Sequence, residues 1–338
     1  MKLPQAYYVL LFIYLLPVLF FISCTKGEVE IEEETSNEYP IDIPKDIKYI
    51  EVQKPGTLAT VLQKDGLTTV VNLKISGSLN DEDLLTLTRM GRYESLKYLD
   101  LSDAYMFDFK GIMTNILYGV SVDQLIVSNH VTEIRMLQDV KKIYIPDNVT
   151  KIGSMCFYGS KINSIQLPNR LTCIDCEAFS YCENLKRLEL PESVESVGEN
   201  AFAYSNIEYV YLGENIKYIE CGVFNGCYSL KELYMNMDSI PELINHEDTY
   251  YSDLGKISLG ENVKYIDYEA FSSLLNLKSV YCYNSAPPIV YSEGTFDDTY
   301  FLMLRAKNPI LYVPRGSMVD YWNASQFSSV FLTIKEIE

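Results

Sequence analysis

Apolar residues in this chain neither alternate for long nor follow a helical stripe. From Leu188 to Phe202 the stretch LELPESVESVGENAF spaces them unevenly around a central Pro. Such a Pro ends a helix and cannot continue a strand ladder. The pattern recurs as IYIPDNVTKIGSMCF from Ile143, IQLPNRLTCIDCEAF from Ile165, VYLGENIKYIECGVF from Val210 and ISLGENVKYIDYEAF from Ile257. Successive starts lie 22, 23, 22 and 47 residues apart, and the double interval holds a degraded copy, LYMNMDSIPEL from Leu233, that has lost its Phe. A fixed period of this length predicts coils that stack and share one core, because a single coil cannot bury its own apolar face.

In each coil a short strand alternates inward and outward positions, and a Pro or Gly then turns the chain. A second extended piece aims Val194 and Val197 inward, and Phe157, Phe179, Phe202, Phe224 and Phe271 plug the far side. Weaker copies extend the period, so strands are expected to start at Leu73, Leu99, Leu125, Ile143, Ile165, Leu188, Val210, Leu233, Ile257, Val280 and Leu311. The predicted fold is a β-rich solenoid, a curved right-handed stack of coils of about 22–24 residues with a parallel sheet. Solenoid ends need caps. GTLATVLQK and LNDEDLLTLTRM read as short helices, the second capped by Asn80 or Asp81. At the other end LYVPRGSMVDYWNASQFSSVFLTIKEIE breaks the period, and its Trp322, the only Trp, is expected to cover the last coil.

The unit LPESVESVGENAFAYSNIEYVYL resembles the leucine-rich repeats of BspA-like surface lipoproteins, found mostly in Bacteroidetes. LKISGSLNDEDLLTLTRM with LKYLDLSDA is similar to an N-terminal region common in Bacteroides members, and LYVPRGSMVDYW to their usual C-terminal ending. The likeness covers most of residues 57–338. This chain departs from the pattern in the lost Phe of the Leu233 coil, the shortened Leu125 coil, and Gly213 and Gly260 in place of Pro. The resemblance implies a leucine-rich-repeat solenoid acting in adhesion or recognition, not catalysis.

MKLPQAYYVLLFIYLLPVLFFISC has one Lys, an apolar run from Tyr7 to Ile22, then Ser-Cys, and reads as a signal peptide over residues 1–23. FISC resembles a bacterial lipobox with Phe21 in place of the usual Leu, which makes Cys24 the lipidated first residue of the mature chain. A transmembrane anchor is the alternative, although the run is near the lower limit for a span and contains Pro17. Residues 24–46 form an acidic, flexible tether. Its acidic residues resemble a surface-export signal, with a plain solvated linker equally open. Residues 47–120 are then an N-terminal cap region, 121–286 the repeats and 287–338 a C-terminal capping segment. The expected location is the outer membrane, lipid-anchored and surface-exposed.

The formal net charge is −18, and residues 1–23 hold only Lys2, so the remainder carries −19. Without basic clusters to neutralise phosphates, nucleic acid is excluded as a partner, and direct adsorption to anionic lipid is disfavoured. The eight cysteines are expected to be mostly small buried residues. Cys176 and Cys221 share one repeat position, as do Cys182 and Cys227, and partners two coils apart lie beyond disulfide reach. A Cys156–Cys176 pairing, one coil apart, stays open. The two histidines, His130 and His246, form no catalytic constellation, and no metal or cofactor motif is present, so no enzyme activity is expected.

Function therefore falls to the surface. Stacked parallel strands put equivalent outward residues in columns: Tyr144, Gln166, Glu189, Tyr211, Tyr234, Ser258 and Tyr281 in one, and Lys142, Ser164, Arg187, Tyr209, Glu232, Lys256 and Ser279 in the other. Tyr contributes 28 of 338 residues. Its rigid apolar ring with a hydroxyl suits protein or glycan contacts, and it is also a good strand former. Tyr144, Tyr209, Tyr211, Tyr234 and Tyr281 are the candidate ligand stripe. The expected role is a lipid-anchored surface protein binding host protein, matrix or other cells. Glycan capture for nutrient uptake and a structural envelope role are the alternatives.

Overall fold

The computed structural model describes residues 41–93, 95–108, 113–114, 116–241, 243–244, 253–267, 270, 274, 276–291 and 308–338. Cys24, the leader and residues 24–40 of the tether lie outside the described residues, as do Phe271 and His246. Apart from Met113–Thr114, which pairs antiparallel with Tyr98–Phe107, the strands form two columns of parallel pairs. The first column opens with Lys48–Val52, Asn72–Leu79, Tyr98–Phe107, Gln124–Ile126 and Lys142–Tyr144. It resumes with Arg187–Glu189, Tyr209–Leu212, Glu232–Met235, Lys256–Leu259, Ser279–Cys282, Ile310–Val313 and Thr333–Glu336. Leu73, Leu99, Leu125 and Ile143 are aligned in register, as are Leu188, Val210, Leu233, Ile257, Val280 and Leu311, and all are buried. This is a β-rich leucine-rich-repeat solenoid, with equivalent residues of successive coils stacked strand on strand.

Three departures from the expected column stand out. The coil from Ile165 forms no strand in it, and the ladder divides into two sheets there. Leu167 is still buried and Ile165 packs against the core; apolar burial needs only the inward direction, whereas a ladder also needs aligned N–H and C=O groups. Two strands were also not expected, Lys48–Val52 before the first start and Thr333–Glu336 after the last. Lys48–Val52 pairs with Asn72–Leu79 so closely that a Cβ at Gly77 would meet the Val52 carbonyl oxygen at 2.3 Å. Gly77, at φ +88°, is also in a backbone region that suits only glycine.

The second column is built from strands of two or three residues. Ile116–Tyr118, Glu133–Arg135, Lys151–Ile152, Cys173–Ile174, Ser196–Val197 and Tyr218–Ile219 form one sheet, and Ser239–Ile240, Tyr265–Asp267 and Ile289–Tyr291 another. Ile134, Ile152, Ile174 and Val197 stack in register and are buried, as is Val194. The interruption here falls after Tyr218–Ile219, one position along the stack where Tyr209–Leu212 and Glu232–Met235 of the first column are paired.

Beyond this column the chain returns through a loop centred on the Phe plug. Phe157, Phe179, Phe202 and Phe224 are fully buried and stack in sequence, with centroids 5.1, 5.7 and 5.7 Å apart. Each loop donates to the next: the N–H groups of Phe157, Phe179 and Phe202 reach the carbonyls of Ala178, Ala201 and Val223. By the same bond the Phe224 N–H reaches Leu243, so Ile244 stands where the degraded Leu233 coil lost its Phe. In the shortened Leu125 coil the Leu137 N–H bonds to the Cys156 carbonyl, and Leu137 takes the plug position.

At the N-terminal end, α1 (Leu58–Lys64) and α2 (Asp81–Tyr93) occupy the two stretches expected to be helical. Asn80 is the cap of α2: its side-chain oxygen accepts from the N–H groups of Glu82 and Asp83 at 3.1 and 3.3 Å. Asp83 answers by accepting the Asn80 N–H at 3.0 Å, a reciprocal capping arrangement. At the other end, α3 (Met318–Asn323) and α4 (Ser325–Ser328) close the stack. The plug there is Tyr321, not Trp322: Tyr321 is fully buried, while Trp322 is 44% exposed. Successive helical residues point about 100° apart, so only one of the pair can face inward. The Tyr321 hydroxyl donates to the Asn284 carbonyl at 3.0 Å and lies 2.9 Å from Cys282 Sγ, whereas a buried indole would need its own acceptor.

All seven described cysteines are free, so Cys156 and Cys176 form no disulfide. Burial pushes the thiols of Cys182 up to about 12 and of Cys227 and Cys282 to about 11, and raises Cys156 well above its ordinary value. The Sγ atoms of Cys182 and Cys227 lie 3.1 and 3.0 Å from the carbonyls of Phe157 and Phe202, inside the Phe ladder. They serve there as small core residues.

Candidate functional site

Outward positions of the second sheet in the first column bring most of the candidate stripe together. Tyr211 pairs with Tyr234, Tyr234 with Ser258, Ser258 with Tyr281, and Tyr281 with Tyr312. Strand neighbours lie about 4.8 Å apart, so rings at matched positions must stack or splay. They stack: Tyr211 and Tyr234 have centroids 4.7 Å apart and planes 8° apart, and Tyr281 and Tyr312 4.5 Å and 7°. Ser258 carries no ring and separates the two pairs. Tyr312 was missed as a stripe member, although it follows the strand start at Leu311 as Tyr281 follows Val280.

Tyr209 points the same way as Tyr211, two residues along one strand, and the two are 41% and 37% exposed. It pairs with Arg187 on one side and Glu232 on the other. The Arg187 guanidinium and the Lys231 ammonium each lie 6.0 Å from its ring centroid, and Lys256 Nζ lies 5.4 Å from that of Tyr281. Ion pairs link successive coils: Lys256 to Glu232 at 3.0 Å, and Glu208 to Lys231 and, at 3.6 Å, to Lys186. The Lys231 ammonium, by hydrogen bond, holds the Glu208 carboxyl below the usual carboxylate range. The face is thus a row of rings bordered by exposed, solvent-screened charge pairs, each of small stabilising value.

Tyr144 is not in that sheet. It pairs with Ile126 in the first sheet, and the strandless Ile165 coil separates it from Glu189 and Tyr211. Tyr144 therefore does not continue the ring column, because the ladder that would carry the register does not form. A second group of tyrosines was missed altogether. Tyr158, Tyr181 and Tyr204 pack in a row beside the Phe plugs, with centroids 5.1 and 4.8 Å apart. The available signal was a Tyr one or two residues after Phe157, Phe179 and Phe202. Among the described residues, no group of His, Cys, Asp and Glu is arranged to hold a metal ion.

Comparison with known proteins gives the repeats their type. No curated protein matches it. Among solved structures, a leucine-rich repeat protein from Bacteroides ovatus ATCC 8483 is 18% identical, with a TM-score of 0.37 over 65% of this chain and 59% of that one. A leucine-rich repeat protein from Eubacterium ventriosum ATCC 27560 is 17% identical, with a TM-score of 0.35 over 66% and 68%. A leucine rich cell surface protein from Faecalibacterium prausnitzii A2-165 is 15% identical, with a TM-score of 0.29 over 85% and 79%. The chain spans 59% of the Bacteroides ovatus protein's length. The family described as BspA type leucine rich repeat region matches residues 135–246 and 242–299, in six copies. The match runs over the coils whose strands, Phe plugs and tyrosine columns stack in register, so residues 135–299 of this chain are BspA-type leucine-rich repeats.

Proposed function

We propose that the protein is a cell-surface recognition protein that adheres to host protein, matrix or other cells through the tyrosine-bearing sheet face. The observation that carries this reading is the cluster of Tyr209, Tyr211 and Tyr234, two of them more than a third exposed, on a sheet with charged borders. Exposed rings lower solubility, and Tyr is enriched among residues that dominate interface energies. The match of residues 135–299 to BspA-type repeats supports a general repeat-based binding role. The competing role for these rings is cross-strand stiffening, worth about 0.5–1.5 kcal/mol for a stacked pair. Changing Tyr211→Ser and Tyr234→Ser together should abolish adhesion of the purified protein to its target surface while stability falls by no more than about that amount. Intact adhesion with a large drop in Tm would make the pair structural.

Attachment at the cell surface through lipid on Cys24 is part of the same proposal, resting on the apolar leader and FISC. Among the described residues no helix is long and apolar enough to cross a membrane. Several acyl chains on one residue hold a protein stably, where a single chain does not. Cys24→Ser should move the protein out of the detergent phase and leave its leader uncut or mis-cut. Unchanged partitioning would rule lipid attachment out.

A further inference from the structure

The loops carrying the Phe plugs have a repeating backbone that their residues do not all suit. Two positions in each, four residues apart, adopt left-handed φ values: Met155 and Gly159, Glu177 and Tyr181, Asn200 and Tyr204, Gly222 and Gly226. Left-handed backbone is natural for Gly and tolerable for Asn, and disfavoured for bulky side chains. At the second position the four coils carry Gly, Tyr, Tyr and Gly. Gly159 and Gly226 show that the loop closes without a side chain there, so loop geometry does not call for the rings of Tyr181 and Tyr204. Burial does not call for them either, since they stay 42% and 38% exposed.

These rings are ordered into a surface. Tyr158, Tyr181 and Tyr204 form a row, the first two tilted at 49° and the last two nearly parallel at 14°. Tyr204 lies directly over Gly226, where a Cβ would sit 2.2 Å from the ring, so a side chain at the next coil would displace it. Ring-on-ring packing covers part of each ring and leaves the rest of Tyr181 and Tyr204 exposed. Met155 at 41% exposure borders the row, and Met136, one coil earlier, is 56% exposed. Flexible exposed Met beside aromatic rings is a composition found at surfaces that accept varied apolar side chains.

Charge indicates the partner. Glu177, Glu183 and Glu199 lie in the same loops and have no basic partner among the described residues, although exposed carboxylates elsewhere, such as Glu195 and Asp238, do. Desolvation first, then the neighbouring Tyr181 and the Glu177 carboxylate, hold the Tyr158 phenol above its ordinary value, which places Glu177 close to the row. We infer that the edge made by Met155, Tyr158, Tyr181 and Tyr204 docks a cationic peptide segment of a partner protein, with apolar side chains against the rings and Lys or Arg against Glu177, Glu183 and Glu199. This edge is separate from the sheet face proposed above, and the two stand or fall independently.

The test uses the full chain and two fluorescent peptides, one of Leu and Lys and one with every Lys replaced by Glu, followed by anisotropy. The Lys peptide should bind and the Glu peptide should not. Tyr181→Gly with Tyr204→Gly should weaken binding at least about tenfold, as loss of interface anchors does, with Tm unchanged or raised, because Gly takes the left-handed backbone freely. Glu177→Gln, Glu183→Gln and Glu199→Gln together should weaken binding and flatten its salt dependence. Tyr211→Ser with Tyr234→Ser should leave it unchanged. The inference is overturned if the wild-type protein binds neither peptide, if the double Gly variant binds as tightly as wild type, or if that variant loses several degrees of Tm and so shows a structural ladder. It is equally overturned if the sheet-face variant is the one that loses the peptide.

Discussion

Phe202→Ala is expected to lower the unfolding free energy by about 3–5 kcal/mol, among the largest effects of any single change in the repeats. The ring is fully buried and sits between Phe179 and Phe224, each 5.7 Å from its centroid. Truncation removes transfer free energy and leaves a cavity whose walls are two other rings, held by their own coils. Those walls cannot close in freely, because Ser205 Oγ and the Val223 carbonyl hold the Phe202 backbone in place through bonds that an Ala would keep. In a solenoid the damage reaches both neighbouring interfaces, since each coil's stability includes its contacts on either side. Denaturant unfolding of the purified protein measures this, with Trp322→Ala as the control. That side chain is exposed, and its removal should be nearly silent. A loss below about 1 kcal/mol at Phe202 would be incompatible with a shared, rigid plug ladder.

The second large effect is expected at the N-terminal cap. Asp83 is only 1% exposed, yet it accepts backbone N–H groups from Gly56 at 2.6 Å, Leu58 at 2.8 Å and Asn80 at 3.0 Å. One carboxylate thereby fixes the start of α1 and the start of α2. Hydrogen bonds to a charged group contribute about 1.5–3 kcal/mol each, and a buried donor left unmatched costs about 1–3. Asp83→Ala strands three donors at once and should cost about 3 kcal/mol or more, the sum being less than additive. Asp83→Asn keeps the shape but turns donors toward donors, and should recover little. Hydrogen exchange at Gly56, Leu58 and Asn80 should accelerate well before exchange at Val210 or Leu233. Uniform acceleration through the chain would mean that the cap and the repeats unfold as one.

Periodicity made the stacking legible and left the local exceptions hidden. Every predicted strand start except Ile165 begins or lies within a first-column strand, because a two-residue alternation bounded by a turn admits one inward direction. Whether a given coil also closes its ladder depends on alignment to neighbours, which the Ile165 segment does not advertise. Replacement plugs were equally hidden. Leu137 and Ile244 fill Phe positions, and only the hydrogen bonds of adjoining loops reveal the equivalence. At the C-terminal end Trp322 was expected over the last coil, since rarity drew attention to it, but helix phase selected its neighbour Tyr321. On the candidate face, neighbouring positions followed from the repeat, so Tyr211 against Tyr234 was legible and Tyr312 only needed one more step. The distant member, Tyr144, depended on an unbroken sheet, and Tyr158, Tyr181 and Tyr204 depended on loop geometry that no periodic count describes.

The two ladder interruptions fall at different heights in the stack. Where the first column lacks a strand, at the Ile165 coil, the second runs through on Lys151, Cys173 and Ser196; where the second stops after Ile219, the first continues from Tyr211 to Tyr234. The courses overlap like bricks in a wall, with no joint running straight across. A load pulling the chain's ends apart therefore meets at least one intact seam of hydrogen bonds at either weak level. The Phe stack crosses the first of these levels as a mortar line, from Phe157 through Phe179 to Phe202.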